Sequence, residues 1–568
     1  MKPTESVHLA YERMDAESKQ PIWISRVPRE KALAHATSLE QHPEAAAKPL
    51  YGMTFAVKDN IDVAGMPTTA ACPKFAYTPE RNAVVVDELL AAGAILVGKT
   101  NMDQFATGLV GTRSPYGACS SVYNPDYISG GSSSGSAVAV ALGQVDFSLG
   151  TDTAGSGRVP AAFNNLVGLK PTRGLLSTTG VVPACRTLDC VSIFSKRASA
   201  ALRVLKAAAK PDPKDFLSRP LEANRGAAWH PANFRLGIPE RAALEFFGDL
   251  EAEKLFRASL DRLVALGARI VEIDFAPFRE AADLLYSGPW VAERLAAIED
   301  FAIANEADMN PVVAKIILGA RKHSAVDTFR AMYRLSDLRL RAEAEWQHMD
   351  CLLLPTTGTT FTHAQISEDP IGRNTQLGFY TNFVNLLDLS ALAIPAGFRP
   401  NGLPFGVTMV APAMADESLT ATAENFLGEG KTASLPNGFL EVAVVGAHLN
   451  GMPLNHQLTS RGAFLRETTR TSTGYKLYAL ANSMPPKPGL SRVPGFAGPG
   501  IEVELWAIPQ AEFGSFVAAI PAPLGIGTAR LGDGRDVKCF IAENFALADA
   551  TEITQFRGWR AYIASLKR

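Results

Sequence analysis

Two loops rich in glycine and hydroxyl side chains contain the residue types from which an oxyanion site can be built. The first loop is residues 130–136 (GGSSSGS), and the second is residues 150–158 (GTDTAGSGR). Glycines permit close backbone approaches that other residues do not. Adjacent backbone N–H groups in such a loop can point at one place and hold a negatively charged oxygen. These two loops are therefore the first candidates for a functional site.

The same composition is typical of flexible linkers, which is the alternative interpretation. Between the loops, however, the sequence predicts a small-residue helix at residues 136–143 and a short apolar run at residues 145–149. The second loop also ends in an apolar Val-Pro-Ala-Ala segment. Linkers do not contain embedded apolar elements, so the pattern favours folded loops.

Length and charge are those of a soluble globular protein. The chain has 568 residues, a net charge of −2, 20% charged residues and 47% hydrophobic residues, enough for two to four domains. No basic excess indicates nucleic-acid binding, and no apolar run is long enough to cross a membrane. The N-terminus is too charged for a signal peptide, so we expect a cytoplasmic protein with neither nucleic-acid nor membrane partners.

The six cysteines do not form a metal-binding pattern. Cys185 and Cys190 lie close in sequence, but no Cys/His pair follows them at the spacing of a zinc site. We therefore expect reduced thiols and no metal or other cofactor.

Alternating apolar runs and helical patterns predict an α/β fold. Residues 53–57 form a strand that ends at Lys58, and residues 84–98 predict a helix followed by a buried strand. Helical patterns follow at residues 242–266, 280–299 and 311–341, and strands at 351–355 and 402–410. We expect a central mixed, mostly parallel sheet flanked by helices. A lysine at a strand end is usually a solvated charge, so position alone assigns Lys58 no role.

A polar segment at residues 427–438, with three glycines, separates two differently patterned regions. We predict a first domain at residues 1–426, a linker at 427–438 and a second domain at 439–568. The second domain is expected to be a smaller, β-rich α+β unit, with strands near 439–447, 476–481 and 501–507 and a helix at 553–566.

Both glycine-rich loops resemble the signature of the amidase signature hydrolases. Lys58 and Asp59 stand where that family has its catalytic lysine, and GLKPTRG at residues 168–174 follows in the expected order. The similarity covers about residues 20–425. Within the family, LLYSGPWVAER at 284–294 and VVGAHLNGMPLN at 444–455 are similar to allophanate hydrolases. So is AGSGR at 154–158, where the family usually has GGSIR.

The resemblance implies a catalytic set of Lys58, Ser132 and Ser156. Ser156 would be the nucleophile, Ser132 a bridging serine reached through a cis peptide, and Lys58 the base. A neutral lysine near pH 7 requires about 4–5 kcal/mol of differential desolvation and hydrogen bonding. The oxyanion would be bound by the backbone N–H groups of Thr153, Ala154, Gly155 and Ser156. Asp152 and Arg158 would brace the loop.

For the substrate, the resemblance implies allophanate, a small urea derivative with one carboxylate. Such a ligand needs a cation and directional hydrogen bonds, and Tyr286 and Arg294 match the residues that hold it. They are separated by about two helical turns, so both can face one cleft. The alternative is that Arg294 forms a surface ion pair with Glu293 or Glu299.

In the second domain the resemblance implies decarboxylation of N-carboxycarbamate, the product left when the amidase step releases ammonia. His448, in the loop after a predicted strand, is the candidate base, and His456 is the alternative. A histidine at a strand end is more often structural than catalytic.

Three functions from different classes stay open. The first is an allophanate hydrolase in urea or cyanuric acid nitrogen use, expected to be a homodimer with a functional link to urea carboxylase. The second is an amidase of another specificity, or the amidase component of a tRNA-dependent amidotransferase, which would leave the second domain unexplained. The third is a non-catalytic binding protein, whose expected mark is a missing catalytic residue.

Overall fold

The computed structural model describes residues 2–17, 19–220, 228–429, 439–481 and 483–566. It divides the chain into two compact units, Met1–Glu429 and Gly430–Arg568. The predicted linker lies outside the described residues from position 430 onward.

The first unit contains thirteen strands and fifteen α-helices among its described residues. Its strands are β1 (Trp23–Arg26), β2 (Thr54–Lys58), β3 (Ile95–Thr100), β4 (Ser120–Ser121), β5 (Asn124–Ile128), β6 (Phe147–Asp152), β7 (Val167–Lys170), β8 (Cys190–Ser195), β9 (Phe234–Pro239), β10 (Ala268–Ile273), β11 (Cys351–Pro355), β12 (Leu389–Phe398) and β13 (Pro404–Pro412). Its helices are α1 (Pro3–Ala16), α2 (Arg29–Gln41), α3 (Val84–Ala91), α4 (Ser134–Ala141), α5 (Val159–Phe163), α6 (Ala198–Ala208), α7 (Leu250–Ala265), α8 (Ala276–Ser287), α9 (Trp290–Ala304), α10 (Pro311–Leu318), α11 (Ala325–Trp346), α12 (His363–Glu368), α13 (Gly372–Leu377), α14 (Phe383–Leu386) and α15 (Asp416–Leu427).

Eleven of these strands form one sheet in the order β1-β3-β2-β6-β8-β7-β12-β13-β11-β9-β10. Four neighbouring pairs are parallel, and six are antiparallel. The predicted mixed sheet flanked by helices is confirmed, but parallel pairs are the minority. One reason is the short connection between β12 and β13, since adjacent strands joined by a few residues can pair only antiparallel.

Two long helical patterns are each interrupted. The pattern at residues 280–299 becomes α8 and α9, because Gly288 ends the first helix and Pro289 caps the second. The pattern at residues 311–341 becomes α10 and α11, separated by a short 3-10 turn. Hydrophobic periodicity continues across both breaks, so it cannot reveal them.

The core of the first unit brings β2 and β6 together in parallel, with Phe55 opposite Phe147 and Val57 opposite Leu149. The two phenylalanine rings stack at 5.3 Å. Parallel pairing places the carboxyl ends of both strands at the same edge of the sheet. Lys58 ends β2 and Asp152 ends β6, so the two candidate motifs meet there.

The second unit contains eight strands and three α-helices among its described residues. The strands are β14 (Phe439–Val444), β15 (Phe464–Arg470), β16 (Tyr475–Ala479), β17 (Pro488–Arg492), β18 (Glu502–Pro509), β19 (Leu524–Arg530), β20 (Asp536–Ala542) and β21 (Thr551–Glu552), and the helices are α16 (His456–Thr459), α17 (Gln510–Ala518) and α18 (Trp559–Ser565).

The strands of the second unit form a five-stranded sheet in the order β15-β18-β14-β20-β19 and a three-stranded sheet in the order β17-β16-β21. The prediction of a smaller, sheet-rich unit is confirmed. Its last helix is shorter than predicted, because a 3-10 turn and a break at Gly558 come before it.

No helix in the part of the chain that the structure describes is long and apolar enough to span a bilayer. All six cysteines are buried as free thiols. Among the described residues, no group of three or more His, Cys, Asp or Glu side chains is arranged to bind a metal ion.

Gly168 in β7 lies directly against the second glycine-rich loop. A Cβ atom at this position would be 2.3 Å from the carbonyl oxygen of Gly157 and 2.6 Å from the Cβ of Ala161. Because the first of these atoms is backbone, the loop would have to move. The packing of the loop onto β7 therefore requires glycine.

We predict that Gly168→Ala lowers the free energy of unfolding by about 1–3 kcal/mol, since overpacked sites relax at that cost. Gly319→Ala is the matched control, because a Cβ there meets nothing within 4 Å and its φ is −60°. Differential scanning calorimetry of the two full-length variants measures the melting temperature of each. Equal melting temperatures for the two variants would contradict the close packing.

Candidate active site

Lys58 is completely buried, and its ammonium group contacts two hydroxyls. Its Nζ atom lies 2.7 Å from Ser132 Oγ and 2.7 Å from Thr151 Oγ1. Strand β2 delivers the lysine, the loop before α4 delivers Ser132, and β6 delivers Thr151. No carboxylate lies within 4 Å of Nζ among the described residues. The lysine is thus held by neutral partners.

Burial lowers the pKa of Lys58 to about 7, because desolvation penalises the charged form. The negative charges of Asp103, Asp189 and Asp152 oppose this shift, and the positive charge of Arg294 adds to it. Relative to an ordinary lysine pKa of about 10.4, the neutral fraction at pH 7 rises to about one half. Lys58 can therefore accept a proton at neutral pH.

Ser156 Oγ is not hydrogen bonded to Ser132 or Lys58 among the described residues. Ser156 Oγ donates to the carbonyl of Gly108 at 3.4 Å. The next carbonyl, that of Leu109, accepts from the N–H of Gly131 at 2.9 Å, and the Gly131–Ser132 peptide is cis. The two serines thus contact adjacent parts of one segment.

The loop before Ser156 presents several unengaged backbone donors. Among the described residues, the N–H groups of Thr153, Ala154 and Ser156 have no hydrogen-bond partner. The N–H of Gly155, the fourth donor that the resemblance implies, instead binds Asp152 Oδ1 at 2.9 Å. This contact exists because Gly155 has a φ of +135°, a conformation that favours glycine.

Asp152 organises the whole loop through its buried carboxylate. It accepts two hydrogen bonds from Arg158 at 2.9 Å and one from the N–H of Gly157 at 3.1 Å, in addition to the bond from Gly155. Both side chains of the ion pair are fully buried. Burial alone would raise the pKa of Asp152, but the charge and hydrogen bonds of Arg158 bring it below the ordinary value. The bracing contact that the resemblance implies is present.

Several side chains that sequence reasoning did not select complete the site. Thr151 binds Lys58, and Asp189 accepts the Thr153 hydroxyl at 2.5 Å. Asn385 donates to the carbonyls of Asp152 and Leu188 at 2.7 and 2.8 Å. Only Thr151 had a sequence signal, because it belongs to the second glycine-rich loop, although the pairing of β2 with β6 is what brings it beside Lys58. Asp189 and Asn385 come from distant segments without a motif.

Arg294 is 2% exposed and lies beside Tyr286. Its guanidinium donates to the Tyr286 hydroxyl at 3.4 Å and to Thr107 Oγ1 at 3.2 Å, and it lies 5.3 Å from the centre of the tyrosine ring. The two residues stand on different helices, α9 and α8, rather than two turns apart on one. The break at Gly288 and Pro289 still brings them together.

No ion pair neutralises Arg294 among the described residues, and its Nε atom has no hydrogen-bond partner. The alternative of a surface ion pair is wrong, because Glu293 accepts from Thr187 at 2.7 and 2.8 Å and Glu299 is exposed. A buried guanidinium cannot lose its proton and costs free energy unless an anion pairs with it. The site therefore has the charge expected of one that binds a small anion.

In the second unit, His448 and His456 occupy different environments. His448 is half-buried, and its Nε2 atom lies 2.9 Å from Gln457 Oε1. His456 is exposed on α16 and contacts the carbonyl of Pro453 at 2.9 Å. Burial lowers the pKa of His448, so its imidazole favours the neutral form. Of the two, His448 has the environment suited to proton transfer.

The first unit thus contains a serine hydroxyl, a buried lysine of lowered pKa, unengaged backbone N–H groups and a buried guanidinium. This combination is suited to acyl transfer from a small anionic amide.

Comparison with protein families gives two matches. The family described as Amidase matches residues 5–420, and the family described as Allophanate hydrolase C-terminal domain matches residues 440–564.

Three relatives are similar over much of the chain. Urea amidolyase of Saccharomyces cerevisiae is 42% identical over 99% of this chain, which spans only 32% of that protein's length. The structure of Kluyveromyces lactis allophanate hydrolase aligns with a TM-score of 0.75 and 41% identity, covering 100% of this chain and 97% of that one. A glutamyl-tRNA(Gln) amidotransferase subunit of Synechococcus is 33% identical over 73% of this chain and 92% of its own.

We predict that Asp152→Asn destabilises the fold by about 3–5 kcal/mol, because it leaves Arg158 buried without its counter-charge. Asp15→Asn is the control, since the Asp15–Arg26 pair has the same 2.9 Å separation but is exposed and should cost less than about 1 kcal/mol. Urea denaturation measures both.

The acid dependence follows from the same pair. Because the pKa of Asp152 is lowered in the folded state, its contribution is complete above the unfolded pKa of about 3.9 and disappears as the pH falls through the folded value. Asp152→Asn should lack this part of the acid sensitivity. Equal decreases in the free energy of unfolding for Asp152→Asn and Asp15→Asn would contradict a bracing role of Asp152.

Proposed function

We propose that this chain, which belongs to the amidase signature family and matches the allophanate hydrolase C-terminal domain at residues 440–564, is an amidohydrolase that hydrolyses allophanate. The observation that carries this proposal is Arg294, a buried cation without a carboxylate partner among the described residues, beside the serine–lysine site. Allophanate combines an amide with the single carboxylate that such a cation would bind.

In the proposed reaction, Ser156 Oγ attacks the terminal carbonyl carbon while its proton passes through Ser132 to Lys58. The oxyanion accepts hydrogen bonds from backbone N–H groups of the loop that includes Thr153 and Ala154. The C–N bond then breaks, and the leaving nitrogen takes the proton from Lys58 and departs as ammonia. Water attacks the acyl-serine, which releases N-carboxycarbamate and restores Ser156.

The second unit would act on that product. One C–N bond of N-carboxycarbamate breaks, the electron pair stays on nitrogen, and nitrogen gains one proton, which yields carbon dioxide and carbamate. His448 is the proposed proton-transfer group, supported by its neutral environment. His456 is the less suitable candidate because it is exposed.

The amidotransferase alternative is less well supported. The amidotransferase relative covers 73% of this chain, whereas the allophanate hydrolase of K. lactis covers all of it. A homodimer and a functional link to urea carboxylase stay part of the proposal, and the similarity to two urea amidolyases supports a place in urea nitrogen use.

We predict that Ser156→Ala lowers the rate of ammonia release from allophanate by at least about 10⁴-fold. Removing one member of a catalytic unit costs about as much rate as removing all of its members. Ser134→Ala is the control, because that hydroxyl donates to the Asn101 carbonyl at 3.4 Å and takes no part in the proposed relay. A coupled ammonia assay compares the two folded variants. Turnover near that of the unmodified protein in Ser156→Ala would reject the nucleophile.

The pH dependence should follow Lys58. Its pKa of about 7 means that the neutral base gains population as the pH rises. We expect kcat/KM for an uncharged amide such as malonamide to rise about tenfold per pH unit below 7 and to level off above about 8. A rate that is constant between about pH 5 and 9 would exclude a neutral-lysine base.

Specificity should depend on Arg294. We expect Arg294→Met to reduce kcat/KM for allophanate about 10–150-fold more than for malonamide, because a charge-assisted bond contributes about 1.5–3 kcal/mol. Arg294→Lys keeps the positive charge, so its kcat/KM for allophanate should fall less than that of Arg294→Met. Equal losses for both substrates would make Arg294 a structural residue.

A further inference from the structure

A cavity of about 200 Å³ lies within the second unit beside His448. Its walls come from the loop after β14, the start of β17, the turn before β19 and the side chain of Phe540 on β20. Among the described residues, its lining includes no aspartate or glutamate. Apart from apolar side chains, it contains the side chains of His448, Gln457 and Lys487.

His448 is held in one orientation in this cavity. Its ring stacks on Phe540 at 4.9 Å and meets the edge of Phe516 at 5.5 Å. Because the Oε1 atom of Gln457 can only accept, Nε2 of His448 is the protonated nitrogen in this arrangement. The Nδ1 atom, which has no hydrogen-bond partner among the described residues, is then the acceptor. The amide nitrogen of Gln457 is left as a donor.

Lys487 is half-buried immediately before β17, and its ammonium has no hydrogen bond or ion pair within the described part of the chain. Two other cations of the unit, by contrast, have carboxylate partners. Lys476 binds Glu552 at 3.0 Å, and Arg466 binds Glu441 at 2.8 Å. A half-buried cation without a counter-charge is stabilised by an anionic ligand that reaches it. The cavity therefore has both the charge and the size for a compact anion.

We infer that Lys487 binds a carboxylate of a small dicarboxylate in this cavity, and that Gln457 donates to the same ligand. The inference rests on the proposed function, in which the ligand is N-carboxycarbamate. Lys487 would hold the carboxylate that stays with nitrogen. The leaving carboxylate would face the apolar wall, where loss of its charge as carbon dioxide is favoured.

In this arrangement the C–N bond to the leaving carboxylate breaks, and its electron pair stays on nitrogen. The nitrogen then gains one proton, which Nδ1 of His448 takes up from solvent and passes on, and carbamate remains bound to Lys487. Lys487 would thus contact the ligand, while His448 moves the proton.

Malonate is a suitable probe, because it replaces the bridging N–H of N-carboxycarbamate with CH₂ and keeps both carboxylates. Calorimetric titration should use full-length protein that contains Arg294→Met, so that binding in the first unit is weakened. We expect Lys487→Met to weaken malonate binding about 10–100-fold. Lys487→Arg should bind within a few-fold of the parent protein, and so should Lys538→Met, which changes an exposed lysine outside the cavity. Unchanged binding by Lys487→Met would overturn the inference.

A time-resolved experiment separates this inference from the proposed function. Carbon-13-labelled allophanate is followed by NMR with full-length protein and with four variants, His448→Ala, Lys487→Met, Lys487→Arg and Lys538→Met. We expect the intermediate to persist at least about tenfold longer in the first two variants and not in the last two.

Persistence in His448→Ala but not in Lys487→Met would overturn the role of Lys487 and leave the proposed decarboxylation intact. If the intermediate persists in neither, both the inference and the decarboxylation role are rejected. Rescue by Lys487→Arg distinguishes a charge contact with the ligand from a general effect of Lys487 on folding.

Discussion

The burial of Lys58 is the interaction on which the first unit depends. An ammonium ion placed between two hydroxyls, with no carboxylate at contact distance among the described residues, loses much of its preference for the charged form. Three aspartates lie near enough to oppose this effect. Each is occupied by other donors: Asp152 by Arg158 and backbone N–H groups, Asp189 by Thr153 and two N–H groups, and Asp103 by two N–H groups. These contacts spread each negative charge over other partners, so desolvation dominates at Lys58.

Arg294 is buried as Lys58 is, but it keeps its positive charge. It is also buried without a carboxylate partner among the described residues, but a guanidinium keeps its proton where an ammonium can release it. A buried lysine is therefore suited to accept a proton, and a buried arginine is suited to attract an anion. The two cations are not interchangeable, and this difference separates the base from the proposed substrate-binding group.

The second unit also places a titratable group, His448, beside a cation, Lys487. The His448 ring lies against two aromatic rings and burial lowers its pKa, and Lys487 lines the same cavity with its charge unpaired among the described residues. A neutral proton-transfer group beside a cation suits a reaction in which one carboxylate is retained and another loses its charge. In the proposed function, each unit thus joins a proton-transfer group to a cation that would hold a carboxylate.

Local sequence was sufficient to predict the elements that carry the chemistry. The strand ending at Lys58, the two glycine-rich loops and the sheet-rich second unit follow from apolar runs, glycine positions and motif spacing, which depend on neighbouring residues. Tertiary structure alone decided the partners. Thr151, Asp189 and Asn385 join the site through strand register and packing, and Gly155 gives its N–H to Asp152 because the loop folds back on that carboxylate. It also decided that most sheet pairs are antiparallel and that Tyr286 and Arg294 meet across a helix break. The physical reason is that burial, pKa and hydrogen-bond partners depend on residues distant in sequence, which periodicity and motif spacing do not report.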